Sequence, residues 1–232
     1  LLFPFIINGE GGVTVKYPQE LIKQVEARIG DANVEGFVPG QGPLHPKLML
    51  VGEAPGKTEL TNHIPFSGQA GKELMNCLDS AGLTREDVYI TSAMRSRPYK
   101  KIERINKRTG QKEIVYPNRT PTKTEVLAQA PILDYEITHV EPQLIATLGN
   151  IGLHRLLGAK YTVSKNHGEL YQGPILQLNE EKNTYEWSEK TYSVIPLFHP
   201  AAVFYNRTLQ PLIEKDWEVI REVLQNDKIS TS

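Results

Sequence analysis

The stretch LMLVGEAPGKTELTNHIPFSGQAGKEL (residues 48–74) decides the fold. It opens on a continuous apolar run, the pattern of a strand covered on both faces rather than one with a wet side. The run stops at a turn rich in glycine and proline that carries one carboxylate, Glu53. A second turn, PFSGQAG (65–71), leads into a helix over 70–83.

Outward from that stretch, the pattern alternates. YPQELIKQVEARI (17–29) reads as an amphipathic helix with Leu21, Ile22, Val25 and Ile29 on one side. A Gly/Pro-rich connector (36–46) precedes the first strand, and EDVYITSAM (86–94) is a second strand. Residues 99–121 read as irregular. A long helix over 122–140 starts with a capping box, Thr122 and Glu125, and Pro131 predicts a kink in it. A third strand (143–149), a short helix (150–158), and three short antiparallel strands (168–173, 174–179, 185–188) follow. The fourth core strand is expected at 192–198 and a closing helix at 210–225. The expected fold is α/β: a three-layer α/β/α sandwich with a central four-stranded parallel sheet, plus a small antiparallel hairpin insertion. In such sheets sites form at the carboxyl ends of the strands. That rule gathers GEAPG, TSAMRSRP, LGNIG and FHPAAVFYN at one mouth.

The 26 Lys+Arg and 27 Asp+Glu nearly cancel, so net charge advertises no nucleic-acid partner and any such binding needs a local patch. The one cysteine, Cys77, excludes an intrachain disulfide and a cysteine-ligated iron–sulfur cluster, and is expected as a core thiol beside Leu74, Leu78 and Ala81. No apolar run approaches the roughly 20 residues of a membrane span. LLFPFII, broken by Pro4, makes a poor signal peptide. Residues 1–13 are expected to be disordered or vector-derived, residues 14–228 a single domain, and the setting cytoplasmic.

Four loops carry candidate chemistry. In GEAPG, the amides of Ala54 and Gly56 are within reach of a ligand, with Glu53 held beside it; the bland alternative is a strand-to-helix turn whose Glu is merely solvated. Phe66 sits in turn chemistry, suited to stacking on a planar base, or else it plugs the core. Gly68 leads into a helix whose free amides suit a phosphate. His199 ends an apolar strand before Pro200 and can donate a hydrogen bond to charge on a leaving group, although most lone histidines do nothing of the kind. The AAVFY after Pro200 suits a wedge into a base stack. Arg95 to Arg119 is the one strongly cationic segment, with Tyr99 and Tyr116 interleaved: a phosphate contact, or a solvated mobile hairpin.

Together these motifs resemble the uracil-DNA glycosylase superfamily, closest to its iron–sulfur (family 4-like) branch, from about residue 47 to about residue 225. GEAPG with PFSGQAG is similar to that branch's first motif, HPA to its second, and NRTPTKTEV and VEPQLIATLG to its linking segments. The resemblance implies a monofunctional DNA glycosylase that hydrolyses the N-glycosidic bond of uracil, or another deaminated base, in DNA to start base-excision repair. It implies base flipping, Phe66 stacking on the base, Ala54, Gly56 and Ser92 meeting its polar edge, and Glu53 and His199 as the catalytic pair. DNA contacts are then expected from Gly68, Arg97, Lys100, Lys101, Arg119, His167, Pro200 and Ala201. No metal or redox cofactor, no membrane, and a monomer are expected. A nucleotide hydrolase on the same scaffold is disfavoured, because neither a G-x-S-x-G elbow nor clustered carboxylates for Mg²⁺ are present.

Three departures from the family qualify this. Ser96 and Gln129 stand where two of four cluster cysteines would be, and the other two are absent. Ser92 replaces an Asn that pairs with the uracil edge; a hydroxyl lacks the two-sided pairing of an amide. Asn118 stands where a related branch has a DNA-trapping His, so no covalent trap is expected. The competing expectation is a catalytically weak or inactive uracil-DNA-binding member of the superfamily.

Overall fold

The computed structural model describes residues 15–226, so the expectation for residues 1–13 lies outside it. Helix α1 (Gln19–Ile29) and the short strand β1 (Val34–Glu35) precede core strand β2 (Leu48–Gly52). Helices α2 (Lys57–Asn62) and α3 (Gln69–Ser80) lead to β3 (Val88–Ser92). Strand β4 (Arg97–Pro98) pairs with β1, and β5 (Ile102–Ile105) pairs with β6 (Lys112–Val115). Then come α4 (Lys123–Ala128), α5 (Ala130–Val140), β7 (Leu144–Leu148), α6 (Asn150–Leu157) and α7 (Val163–Asn166). Strands β8 (Tyr171–Asn179) and β9 (Thr184–Leu197), the single turn α8 (Ala202–Tyr205) and α9 (Gln210–Gln225) complete the chain.

The sheet has five strands in the order β3-β2-β7-β9-β8, not four. The first four run parallel, as expected, and β8 adds an antiparallel edge. The fifth strand, β8, joins the two strands expected at 168–173 and 174–179, and it pairs with β9, in which YEWS and YSVIPL are one 14-residue strand although the polar residues between them read as a break. Its apolar end is buried in the sheet, while its first half pairs with β8 alone and is mostly exposed. The pairing slips between Pro174 and Leu176, where proline has no N–H to give to the ladder.

Strand β2 shows why an unbroken apolar run was required. Leu48 and Leu50 face a layer built from α3 and α9, with Leu74, Leu78, Trp217 and Ile220. Met49 and Val51 face the opposite layer, with Leu133, Ile137, Leu153 and Leu156 from α5 and α6. Side chains alternate along a strand, so a strand with two buried faces has no place for a polar residue. Each such side chain contributes about 2 kcal/mol of burial.

Three further expectations change. The long kinked helix is two helices, broken at Gln129, with Pro131 placed in the first turn of α5 where its missing N–H costs nothing. The segment 99–121 is not irregular: β5 and β6 form a hairpin with four cross-strand pairs. Cys77 is half-buried at the edge of the core rather than inside it, and burial pushes its thiol up to about 11. Among the described residues, no helix is long and apolar enough to cross a membrane.

Candidate active site

A cavity of about 900 Å³ opens at the carboxyl ends of β2 and β3. Glu53, Ala54, Gly56, Phe66, Ser92 and His199 all line it, so residues up to 146 apart in sequence meet at one mouth.

Phe66 is placed by two glycines. Its backbone adopts φ 53°, a left-handed conformation uncommon for an aromatic residue. Its ring lies over the end of β2, where a Cβ on Gly52 would come within 2.6 Å of it. A Cβ on Gly71 would lie 1.8 Å from the Phe66 carbonyl oxygen. The ring stands 5.8 Å from the His199 ring, tilted by 31°.

His199 carries a defined tautomer. Its Nδ1 lies 3.2 Å from the Ala201 backbone N–H and accepts from it, which puts the ring proton on Nε2. Burial holds its pKa below the usual imidazole value, so the ring is neutral at pH 7. Glu53 is half-buried, and burial raises its carboxyl above the ordinary carboxylate value against a smaller downward pull from the Thr120 side chain. One cavity thus holds a carboxylate of raised pKa, a neutral imidazole and an aromatic face. That combination suits charge separation across a bond.

Glu59, which the sequence reading passed over, organises both turns. Its Oε2 accepts the Gly56 N–H at 3.0 Å and its Oε1 accepts the Gly68 N–H at 2.7 Å. The two amides expected to serve a base and a phosphate therefore serve this carboxylate. The signal was present: Glu59 lies three residues after Gly56, the capping-box spacing, but with a glycine at the cap. Glu59→Gln offers one acceptor for two amides. A stability loss of about 1–2 kcal/mol is expected in urea unfolding, as for a hydrogen bond to a charged group.

The loop after β3 is held from behind. Arg95 is fully buried and donates to both carboxylate oxygens of buried Glu136, and to the Ser92 carbonyl. Glu136 also accepts from Tyr17, from the Gly40 N–H at 3.2 Å and from the Thr91 hydroxyl at 2.6 Å. Gln129 Oε1 accepts the Arg95 N–H at 2.6 Å, and Gln129 Nε2 donates to the Ser96 hydroxyl at 2.6 Å. An iron–sulfur cluster does not fit here: Ser96 and Gln129 are hard donors bonded to each other, and the one cysteine lies on α3. A direct polar clamp spans those two positions instead.

The basic segment is only partly at the surface. Arg97 is buried and donates to Glu35, to Asn118 and to the Tyr116 carbonyl. Arg119 forks onto Glu125 and also donates to the Tyr99 carbonyl at 3.0 Å. Arg97, expected to meet DNA, is an internal strut, and its burial is not reported by sequence spacing. Arg119 is half-buried, tied to Glu125, and borders the cavity. Lys100 and Lys101 are exposed, and Lys100 borders the cavity beside Lys57, Asn118 and Thr120. Ala201 lines the cavity and Pro200 is buried behind it. His167 lies outside the cavity lining, with Nδ1 2.8 Å from Asp216 Oδ1 and its ring 4.6 Å from Phe198.

Comparison with known proteins bears on this arrangement. The profile of the uracil DNA glycosylase superfamily matches residues 39–223. A type-4 uracil-DNA glycosylase of Sulfurisphaera tokodaii is 34% identical over 187 residues, covering 80% of this chain and 74% of its own. One from Thermotoga maritima is 30% identical over 211 residues, covering 90% and 93%. A DNA polymerase of Bacillus phage SP01 is 26% identical over 190 residues, covering 80% of this chain and 17% of the polymerase. With the two motif loops meeting at one cavity and the cluster cysteines replaced, the chain belongs to the uracil DNA glycosylase superfamily as a type-4-like member without the iron–sulfur ligands.

Proposed function

We propose that the protein binds DNA with a uracil, or a similarly deaminated base, flipped into the cavity, and that it hydrolyses the N-glycosidic bond slowly. The observation that carries the reading is the meeting of Glu53, Phe66 and neutral His199 in one cavity. Flipping is the route by which an enzyme reaches a bond hidden in a stack. Phe66 stacks on the base. Water adds to the sugar C1′ as the C1′–N bond breaks, the electron pair leaves on the base, and the water proton goes to Glu53. Nε2–H of His199 donates to the oxygen of the departing anion. Lys57 and Lys100 at the rim suit the flanking phosphates.

Slowness follows from Ser92. It is buried at the cavity wall with a single hydroxyl, which offers the base one donor or acceptor where an amide pairs on two sides. The family's sequence likeness supports the chemistry, and Ser92 supports a low rate. Single-turnover assays on uracil oligonucleotides test both. Ser92→Asn is expected to speed uracil excision roughly 10- to 100-fold, the value of a bidentate base contact of about 1–3 kcal/mol. An unchanged rate would remove Ser92 as the limiting group. Uracil-dependent binding with no abasic product would reduce the protein to a binding module, and no uracil dependence at all would end the reading.

A further inference from the structure

The β5–β6 hairpin is left unexplained by the cavity. Over residues 100–119, seven basic side chains face two acidic ones, whereas the other 212 residues hold 19 basic and 25 acidic. The hairpin is therefore a cationic arm on an otherwise acidic body. Its two acids are already matched, Glu113 by Arg104 at 2.8 Å and Glu103 by Lys112 at 2.8 Å. Lys107 and Arg108 at its tip are exposed, and no acid is paired with them among the described residues.

The hairpin is also unusually apolar for an exposed element. Ile102, Ile105, Ile114 and Tyr116 are all between 41% and 64% exposed. Beneath it runs a groove of about 620 Å³, lined by Ile102, Arg104, Ile114 and Tyr116 from the arm and by Lys57 and Arg97 from the body. Glu35, the acid in the groove, is paired with Arg97. Lys57 lines both this groove and the 900 Å³ cavity, so the two are neighbours that meet at this side chain. Tyr116 is a rigid platform: its carbonyl accepts from Arg97, and its ring stands edge-on to Tyr99 at 5.5 Å. Tyr99 in turn bridges Asn118, and the Lys100 N–H donates to the Pro117 carbonyl at 2.9 Å.

We propose that this groove receives an unpaired DNA strand flanking the flipped nucleotide, and that the protein prefers single-stranded substrate for this reason. The inference rests on the DNA-binding reading above. Lysines and arginines suit phosphates on any nucleic acid, but an aromatic ring bordered by isoleucines offers nothing to a phosphate. It suits the face of a base, and base faces are free only where the strand is unpaired. Lys57, at the junction, meets the phosphate between the flipped nucleotide and its neighbour.

The test compares binding of uracil-free single strands and duplexes of equal length, followed by cleavage of their uracil versions, in wild type, Tyr116→Ala and Tyr116→Phe. Tyr116→Ala keeps the carbonyl that Arg97 holds. It is expected to weaken single-strand binding about tenfold, within the range for losing one stacked base, and to leave duplex binding within about twofold. Tyr116→Phe, which keeps the ring, is expected to restore it. Equal losses on both substrates, or wild-type binding in Tyr116→Ala, would overturn the proposal; the second result would point to a protein occupant. Binding of uracil-free strands does not depend on cleavage, so a protein that never cuts uracil could still pass this test.

Discussion

Single-turnover excision of uracil by Glu53→Gln is expected to fall by about 10²–10⁴, the range for losing a positioned base, with DNA binding retained. The pH profile should show the same group. Burial raises the Glu53 carboxyl, and the ionised form is the working one. Activity therefore rises with pH through an acid limb that lies above the ordinary carboxylate value. His199 moves the other way, so neutral imidazole persists below the usual histidine value and adds no limb above it. A folded-state pKa above the unfolded one also means that ionising Glu53 costs stability as pH rises through it. Glu53→Gln removes that cost, so its stability at pH 7 should equal or exceed wild type. This separates a lost base from a lost fold. An acid limb unchanged in Glu53→Gln would remove Glu53 from the mechanism, and His199→Ala, expected to lose about 10²–10³, would then carry the chemistry alone.

Arg95→Ala is expected to lower stability by about 3–5 kcal/mol, because it leaves the Glu136 charge buried without its partner. For a chain of this size that is a fall in Tm of roughly 10 °C. The loss reaches the site as well, since Arg95 holds the Ser92 carbonyl at the cavity wall. Arg95→Met with Glu136→Leu removes both charges, and is expected to recover a large part of the stability without restoring the Ser92 contact. Calorimetry on the single and double variants tests this. A single variant within 1 kcal/mol of wild type would show that the pair is not uniquely holding the loop.

The parallel core was legible because burial on two faces leaves a simple mark, an unbroken apolar run such as Leu48–Val51. The loops at its mouth were legible because glycine and proline constrain the backbone locally. Edge strand β8 was misread, and β9 was divided, because a strand that leaves the sheet becomes polar halfway along. The fates of the cations were not legible. Arg95, Arg97 and Arg119 look alike beside Lys100 and Lys101 in the chain, yet the first two are buried struts, Arg119 borders the cavity while paired with Glu125, and the two lysines are exposed.

The sequence by itself determined the α/β order, the two motif loops, the absence of the cluster cysteines and the serine at the end of the second strand. These are properties of residue type and of neighbours along the chain. The tertiary structure decided that Glu59 also takes the Gly68 amide, that Ser96 and Gln129 clamp each other, and that the cationic arm stands over a groove bordering the cavity at Lys57. The clamp and the groove depend on groups far apart in the chain coming together, and residue order does not encode that approach locally.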